Sequence, residues 1–314
     1  MYGTIWLIRG RLRQNLLDFY MSLESEKGLK EQLEVQQEIV QMLAQRLEYG
    51  YISLPVLTQA RIAEDQGRIA SEDARRQAAE ARVKVAQSLG IPVHALTGIE
   101  LSFRFLDDLP EQLNVKEMRR RALLRRPDIL ATLARFEAAQ SALQLQIARQ
   151  YPNITLGPGY EYDQGQNKWG IGLSIDLPIL NRNEGPIAEA EAKRKEVAAE
   201  FISLQAGIIG TIDQALIGYE KALRTLSVAD AVLASEKKQV ESVRAAVERG
   251  EEDNLALLSA RLILSSVTLS RLKAFYNAQL ALGALENATY LTMTSTAAVQ
   301  PVPETGRDTG VEGR

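Results

Sequence analysis

The chain has 314 residues, 46% of them hydrophobic and 25% charged, which is the balance of a folded protein of one large domain or two ordinary ones. A net charge of −3 gives no electrostatic ground for nucleic-acid binding. With no cysteine and one histidine, disulfides and thiolate metal sites are excluded, and a metal would have to be held by carboxylates alone.

No run approaches about eighteen uninterrupted apolar residues, which excludes a membrane-spanning helix at this level of reading. The apolar start through Ile8 is followed by Arg9, Arg11 and Arg13, whereas a secretory signal carries its positive charge ahead of the apolar stretch.

The first predicted element is a proline-free helix over 6–48, with Leu12, Leu16, Phe19 and Leu23 at helical spacing. A second helix covers 54–89, and Gly90-Ile91-Pro92 stops it as a glycine cap followed by proline should. Residues 91–114 read as an irregular linker, with His94 a solvated loop residue. A third helix covers 115–150, interrupted at Arg126-Pro127-Asp128, where proline suits a helical first turn and Asp128 serves helix-start electrostatics. A hairpin covers 152–178, helices follow at 186–249 and 254–288, and the Pro- and Gly-bearing tail 291–314 reads as disordered. At 1.5 Å per residue the fourth helix would be about 95 Å long, which implies a coiled coil, a rod or a helical barrel.

The segment from Arg46 to Arg61 can be laid on that from Ala246 to Arg261, with Gly50 on Gly250, Leu57 on Leu257 and Ala60-Arg61 on Ala260-Arg261. Each match falls at a sharp turn between two long helices, so the chain contains two helical hairpins on one plan.

The β-structure lies between the third and fourth helices. In Ile154–Tyr162 the large side chains fall on even positions. After a loop at 163–168 the parity changes, and Trp169, Ile171, Leu173, Ile175 and Leu177 face one way while Gly170, Gly172, Ser174 and Asp176 face the other. Such alternation over about nine residues matches a tilted strand crossing a bilayer, with Tyr160, Tyr162 and Trp169 as an aromatic girdle. The competing reading is a hairpin packed on a soluble core. A lone hairpin is marginal in water, and in lipid its open edges require strands from other chains.

Several stretches resemble the TolC-like outer membrane efflux proteins. They are Arg125-Arg126-Pro127-Asp128-Ile129, Ala138-Ala139, Ala148, Tyr151-Pro152-Asn153-Ile154-Thr155-Leu156, Trp169-Gly170-Ile171-Gly172 and Leu177-Pro178-Ile179-Leu180, in order and spacing. The arginine-rich opening helix is similar to that of the heavy-metal, CzcC-like branch. The resemblance implies a mainly α fold, whose very long helices form part of a trimeric α-helical barrel and whose β-hairpin joins a transmembrane β-barrel. Residues 1–90 then read as the helical hairpin of a first repeat and 115–290 as a second repeat. The first repeat's entry helix, strands and any export signal are missing from this reading, as expected of an N-terminally truncated fragment or a gene model with a wrong start.

The same resemblance implies a homotrimer in outer-membrane lipid, a passive duct without cofactor or catalysis. A periplasmic adaptor protein would join it to an inner-membrane pump of a Gram-negative bacterium. Gly50, Leu54, Leu57, Gly250 and Leu257 mark the tips where the adaptor docks. Glu251, Glu252 and Asp253 are candidate pore-constricting acids, since three copies would gather them around an axis and attract cations. They also suit the solvated start of a helix. The rival classes are the adaptor itself, which needs a small lipoyl-like β-domain, and a coiled-coil scaffold, which predicts heptads and no alternating hairpin. No phosphate loop, zinc helix or nucleophile elbow supports an enzyme.

Overall fold

A computed structural model describes residues 2–99, 101–176 and 182–293. It contains helices α1 (Tyr2–Glu48), α2 (Leu54–Leu89), α3 (Val115–Arg125), α4 (Pro127–Ala148), α5 (Glu184–Glu248) and α6 (Asn254–Thr289), with strands β1 (Asn153–Asp163) and β2 (Gln166–Asp176). These fall into two compact units, Met1–Met118 with Ile212–Arg314, and Arg119–Thr211, so that α5 contributes to both.

In the first unit α1 packs against both α2 and α6. The buried residues of α2 are small and regularly spaced: Leu57, Ala78 and Val85 share one heptad position, and Ala74 and Ala81 the position three further on. That is a coiled-coil seam. Its upper part continues into a core of Phe19, Ala81, Val85, Ala86 and Leu96, closed by Phe103 from the linker. The linker holds two short 3-10 turns, Val93–Leu96 and Arg104–Leu106, and His94 is exposed in the first, as expected.

A second core joins α1, α5 and α6 through Leu17, Leu106, Leu226, Phe275 and Ala278. A third gathers Met118, Tyr219, Leu282 and Leu285, where the buried Tyr219 hydroxyl donates to the Pro110 carbonyl at 3.0 Å. Burial pushes the Tyr219 phenol well above its ordinary range.

Polar side chains set the register of α1 against α6. The two helices run antiparallel, with Arg46 on Asp253, Glu38 on Arg261, Asp18 on Tyr276, and Arg13 on Gln279. Near their far ends Glu286, 1% exposed, is held by Arg9 at 3.3 Å, by Arg13 at 3.4 Å and by the Met293 amide at 2.7 Å. Burial lowers the pKa of Arg13, and Glu286 opposes that shift. A buried carboxylate is tolerable only with such a complement of donors.

In the second unit α3 ends where Arg126 turns extended (φ −65°, ψ 129°) ahead of Pro127. Arg126 donates twice to Asp128, at 3.1 and 2.7 Å, and Asp128 also accepts from the Ile129 amide. The hydrogen bond from Arg126 is the main reason the Asp128 carboxyl lies below its usual range. Asp128 therefore organises the helix start. Arg194 reaches Gln140 at 3.1 Å, and Asn183 donates to the Gln146 carbonyl at 2.8 Å, tying α5 to α4.

Two expectations from the sequence need correction here. The loop read at 163–168 is only Gln164-Gly165, both at positive φ (48° and 85°), which makes the two-residue hairpin turn whose twist matches its strands. Pairing therefore continues outward through Asn167 and Lys168. The argument against a spanning helix also fails, because α5 and α6 each contain an 18-residue window of mean hydropathy 1.3 and 1.4 with at most two charges. Serine, threonine and glycine interrupt the apolar runs in these windows without making them polar, and only 11% of each window is buried within the chain.

Candidate docking tips and a bilayer-facing hairpin

The α1–α2 and α5–α6 connections share one backbone design. After α1, the Gly50 amide donates to Leu47 O at 2.9 Å and the Tyr51 amide to Arg46 O at 2.9 Å. After α5, the Gly250 amide donates to Val247 O at 3.0 Å and the Glu251 amide to Ala246 O at 2.9 Å. Both glycines are left-handed, φ 74° and 76°, and each closes a Schellman motif that satisfies the last carbonyls of its helix. Side chains with a Cβ, β-branched ones above all, resist that conformation, so glycine is favoured at both turns.

The next helices start differently. Ser53 makes no side-chain cap, and Pro55 lies in the first turn of α2. Asp253 caps α6 by accepting from the Ala256 amide at 2.8 Å. Its other oxygen binds Arg46 at 2.7 Å, which ties the second tip to the first. Arg46 and, secondarily, the Ala256 amide hold the Asp253 carboxyl below its usual range. Glu251 is clasped by Arg249 at 2.9 and 2.7 Å, and that pair lowers its pKa as well. Among the three acids of the second tip, only Glu252 lies outside an ion pair.

The apolar tip residues divide. Leu54 is exposed, but Leu57 is only 3% exposed, because it belongs to the buried seam of α2. The expectation that Leu57 offers a docking surface is thereby corrected. Leu257 is half-buried beside the buried Leu258. Sequence reasoning gave no role to Arg46 or to the exposed Tyr49 and Tyr51. The flanking of a turn glycine by two tyrosines was the available signal.

In the hairpin, Ile154 pairs with Ile175, Leu156 with Leu173, Pro158 with Ile171 and Tyr160 with Trp169, so these side chains share one face. The opposite face carries Thr155 with Ser174, Gly157 with Gly172, Gly159 with Gly170 and Glu161 with Lys168. Tyr160 packs on Trp169 with ring centroids 4.8 Å apart and donates to Asn167 at 2.8 Å. Trp169, Ile171, Leu173 and Ile175 are all exposed, Ile171 at 83%. Leu177 and the Pro178-Ile179-Leu180 stretch lie outside the described residues. Among the described residues the two strands form a two-stranded sheet, and each has an unpaired edge.

Long helices joined by glycine turns, together with a hairpin apolar on one face, make a fold shared with solved outer-membrane channels. Residues 118–289 match the outer membrane efflux protein family, and the chain belongs to it. It is 24% identical to the cobalt-zinc-cadmium resistance protein CzcC of Cupriavidus metallidurans, over 82% of this chain and 63% of that protein. Among solved structures, CusC superposes with a TM-score of 0.67 at 20% identity, over 92% of this chain and 69% of that one. VceC of Vibrio cholerae gives 0.68 at 19% identity, over 90% and 70%. These likenesses are of fold: mainly helical, TolC-like, with one β-hairpin among the described residues. The chain spans about 63% of its curated relative's length.

Proposed function

We propose that this chain forms part of a passive outer-membrane duct in a tripartite efflux system, with three copies closing the channel. The observation that carries this reading is the hairpin, whose apolar face is exposed from Ile154 to Ile175 while its other face is small or polar. In water that surface has no cover, whereas in a bilayer it meets acyl chains and the polar face meets a lumen. The open edges then require strands from other copies or from further parts of the protein. The exposed apolar windows of α5 and α6 support the same conclusion, because walls of this kind need neighbouring helices.

In this reading the chain is built of two repeats and carries out no bond chemistry. The Gly50 and Gly250 tips, with Leu54 and Leu257, receive a periplasmic adaptor fixed to an inner-membrane pump. Each copy brings Glu252 to the lumen mouth as an unpaired acid, while Glu251 and Asp253 stay neutralised by arginines. The similarity to CzcC favours metal cations among the small solutes carried.

The test is to express the protein as its gene encodes it in a Gram-negative host that lacks its own channel. Fractionation should place it in the outer membrane as a trimer, and the purified protein should give steady conductance in planar bilayers. Recovery in the soluble fraction without conductance would overturn the reading.

A further inference from the structure

We infer that α5 carries a hinge at residues 207–211, paired at the same level with the helix break at Arg126-Pro127, so that the helical stretches on either side of this level change their angle. The hinge belongs to the chain itself and holds whether or not three copies form a duct.

Helix α5 is continuous over Glu184–Glu248, yet the boundary between the two compact units falls inside it, after Thr211. Gly207 and Gly210 stand just before that boundary. Neither has positive φ, so no turn asks for glycine. A Cβ at either would meet no atom of this chain within 4 Å, so close packing within the chain does not ask for it. What glycine brings to a helix interior is backbone freedom, at a cost in stability that alanine would avoid. The Thr211 hydroxyl donates to the Gly207 carbonyl at 2.9 Å, drawing on an acceptor of the helical ladder. Back-bonding of this kind bends helices, and sharp kinks gather where it meets glycine. Thr225 and Ser235 make the same bond further along α5, to Lys221 and Ala231, but with no glycine beside them.

The neighbouring helix is interrupted at the same level. Arg194 meets Gln140 at 3.1 Å and Arg135 meets Glu200 at 3.5 Å, so α4 and α5 run antiparallel in a fixed register. Moving back from Arg135 to Pro127 on α4 moves forward from Glu200 to Ile208 on α5. Ile129 and Ile208 are both buried. At this level Arg126 parts α3 from α4, its extended backbone ending one helix ahead of the proline that opens the next. An unbroken rod beside α5 would splint it, whereas here one helix is broken where its neighbour is loosened. A few residues that absorb backbone rotation between stiff elements are the ordinary form of a hinge.

The protein has no cysteine, so paired spin labels read single distances. The experiment uses detergent-purified protein with excess unlabelled chain, which isolates distances within one copy. K195C/K221C spans the hinge, and K221C/R244C spans an α5 segment with the back-bonds but no glycine. The first pair should give the wider distribution, with its excess on the short side of the about 39 Å backbone span of a straight helix. G207A/G210A should bring it to the control's width without lowering the unfolding midpoint, since alanine favours helix. P127A, which releases Arg126 from its extended conformation, should narrow it in part. Equal widths for the two pairs in the parent protein would overturn the hinge. So would a first-pair width that G207A/G210A leaves unchanged; if the copies then come apart, these glycines are packing positions between copies.

Discussion

Arg46 and Asp253 lie 207 residues apart in sequence and meet at 2.7 Å, so that a side chain at the end of α1 is bonded to the capping residue of α6. One carboxylate thus serves two purposes, starting a helix and joining two tips. Because both partners are substantially exposed, the ion pair is worth less than about 1 kcal/mol. The cap adds about 1 kcal/mol more.

This predicts a graded response at position 253. D253N should retain the cap to the Ala256 amide and lose the ion pair, whereas D253A should lose both. Hydrogen exchange at Ala256 should rise only in D253A. A double-mutant cycle of R46A with D253N should give a coupling below about 1 kcal/mol that shrinks in high salt. The folded-state pKa of Asp253 is depressed, so its contribution is present above the ordinary carboxylate pKa, about 3.9, and is lost as pH falls through the folded value. Protection from exchange at the second tip, taken relative to the intrinsic rate at each pH, should therefore fall below about pH 4.

The buried clasp at Glu286 should be far less tolerant. R13M keeps the length of the side chain but removes its bonds to Glu286 and Gln279, leaving Arg9 and the Met293 amide to hold a carboxylate that is 1% exposed. A loss of about 3 kcal/mol is expected in urea denaturation followed by circular dichroism. R13M/E286Q should recover part of it. If R13M costs no more than a surface substitution, the clasp is not a structural determinant.

Tyr219 and Tyr276 predict an alkaline limit. Burial raises both phenols, Tyr276 to about 12, where the hydrogen bond to Asp18 also contributes. A raised folded pKa means stability that is complete below the unfolded value, about 10, and is lost as pH rises through the folded value. Denaturation midpoints should fall from about pH 10 upward. The fall should be shallower in Y276F, which cannot ionise. At neutral pH, Y219F should cost about 1 kcal/mol by leaving the Pro110 carbonyl unpaired.

The hairpin faces can be told apart by charge. Leu173→Arg puts a guanidinium on the apolar face and should cost about 2–4 kcal/mol near the bilayer midplane, while Ser174→Arg on the polar face should be far milder. Folding equilibria in lipid vesicles measure both. Equal tolerance would count against a bilayer-facing strand.

Much of the architecture could be read from local signals. Gly50, Gly90 and Gly250 each follow a long apolar-periodic run, and all three have positive φ in the structure. The alternation from Ile154 to Ile175 predicted the two faces of the hairpin, because side-chain direction in a strand follows residue parity and needs no tertiary information. Leu57 was misread because an apolar residue beside a turn looks the same whether it is offered or buried. Only its heptad relation to Ala78 and Val85, with α1 packed against α2, shows which.

By itself, then, the sequence determined where helices start and stop, which strand face is apolar, and the family to which those patterns belong. These follow from backbone preferences and short-range periodicity, which act within a few residues. The tertiary structure alone decided which charges meet. Arg46 could have paired with neighbouring Glu48, and Arg13 had no acid within four residues on its own helix. Their partners, Asp253 and Glu286, are supplied by α6 lying antiparallel to α1. A charge pair across helices depends on register and distance, and neither is written in the local pattern of either helix. The same holds for Glu251 and Glu252, adjacent acids of which one is neutralised by Arg249 and the other stands free at the tip.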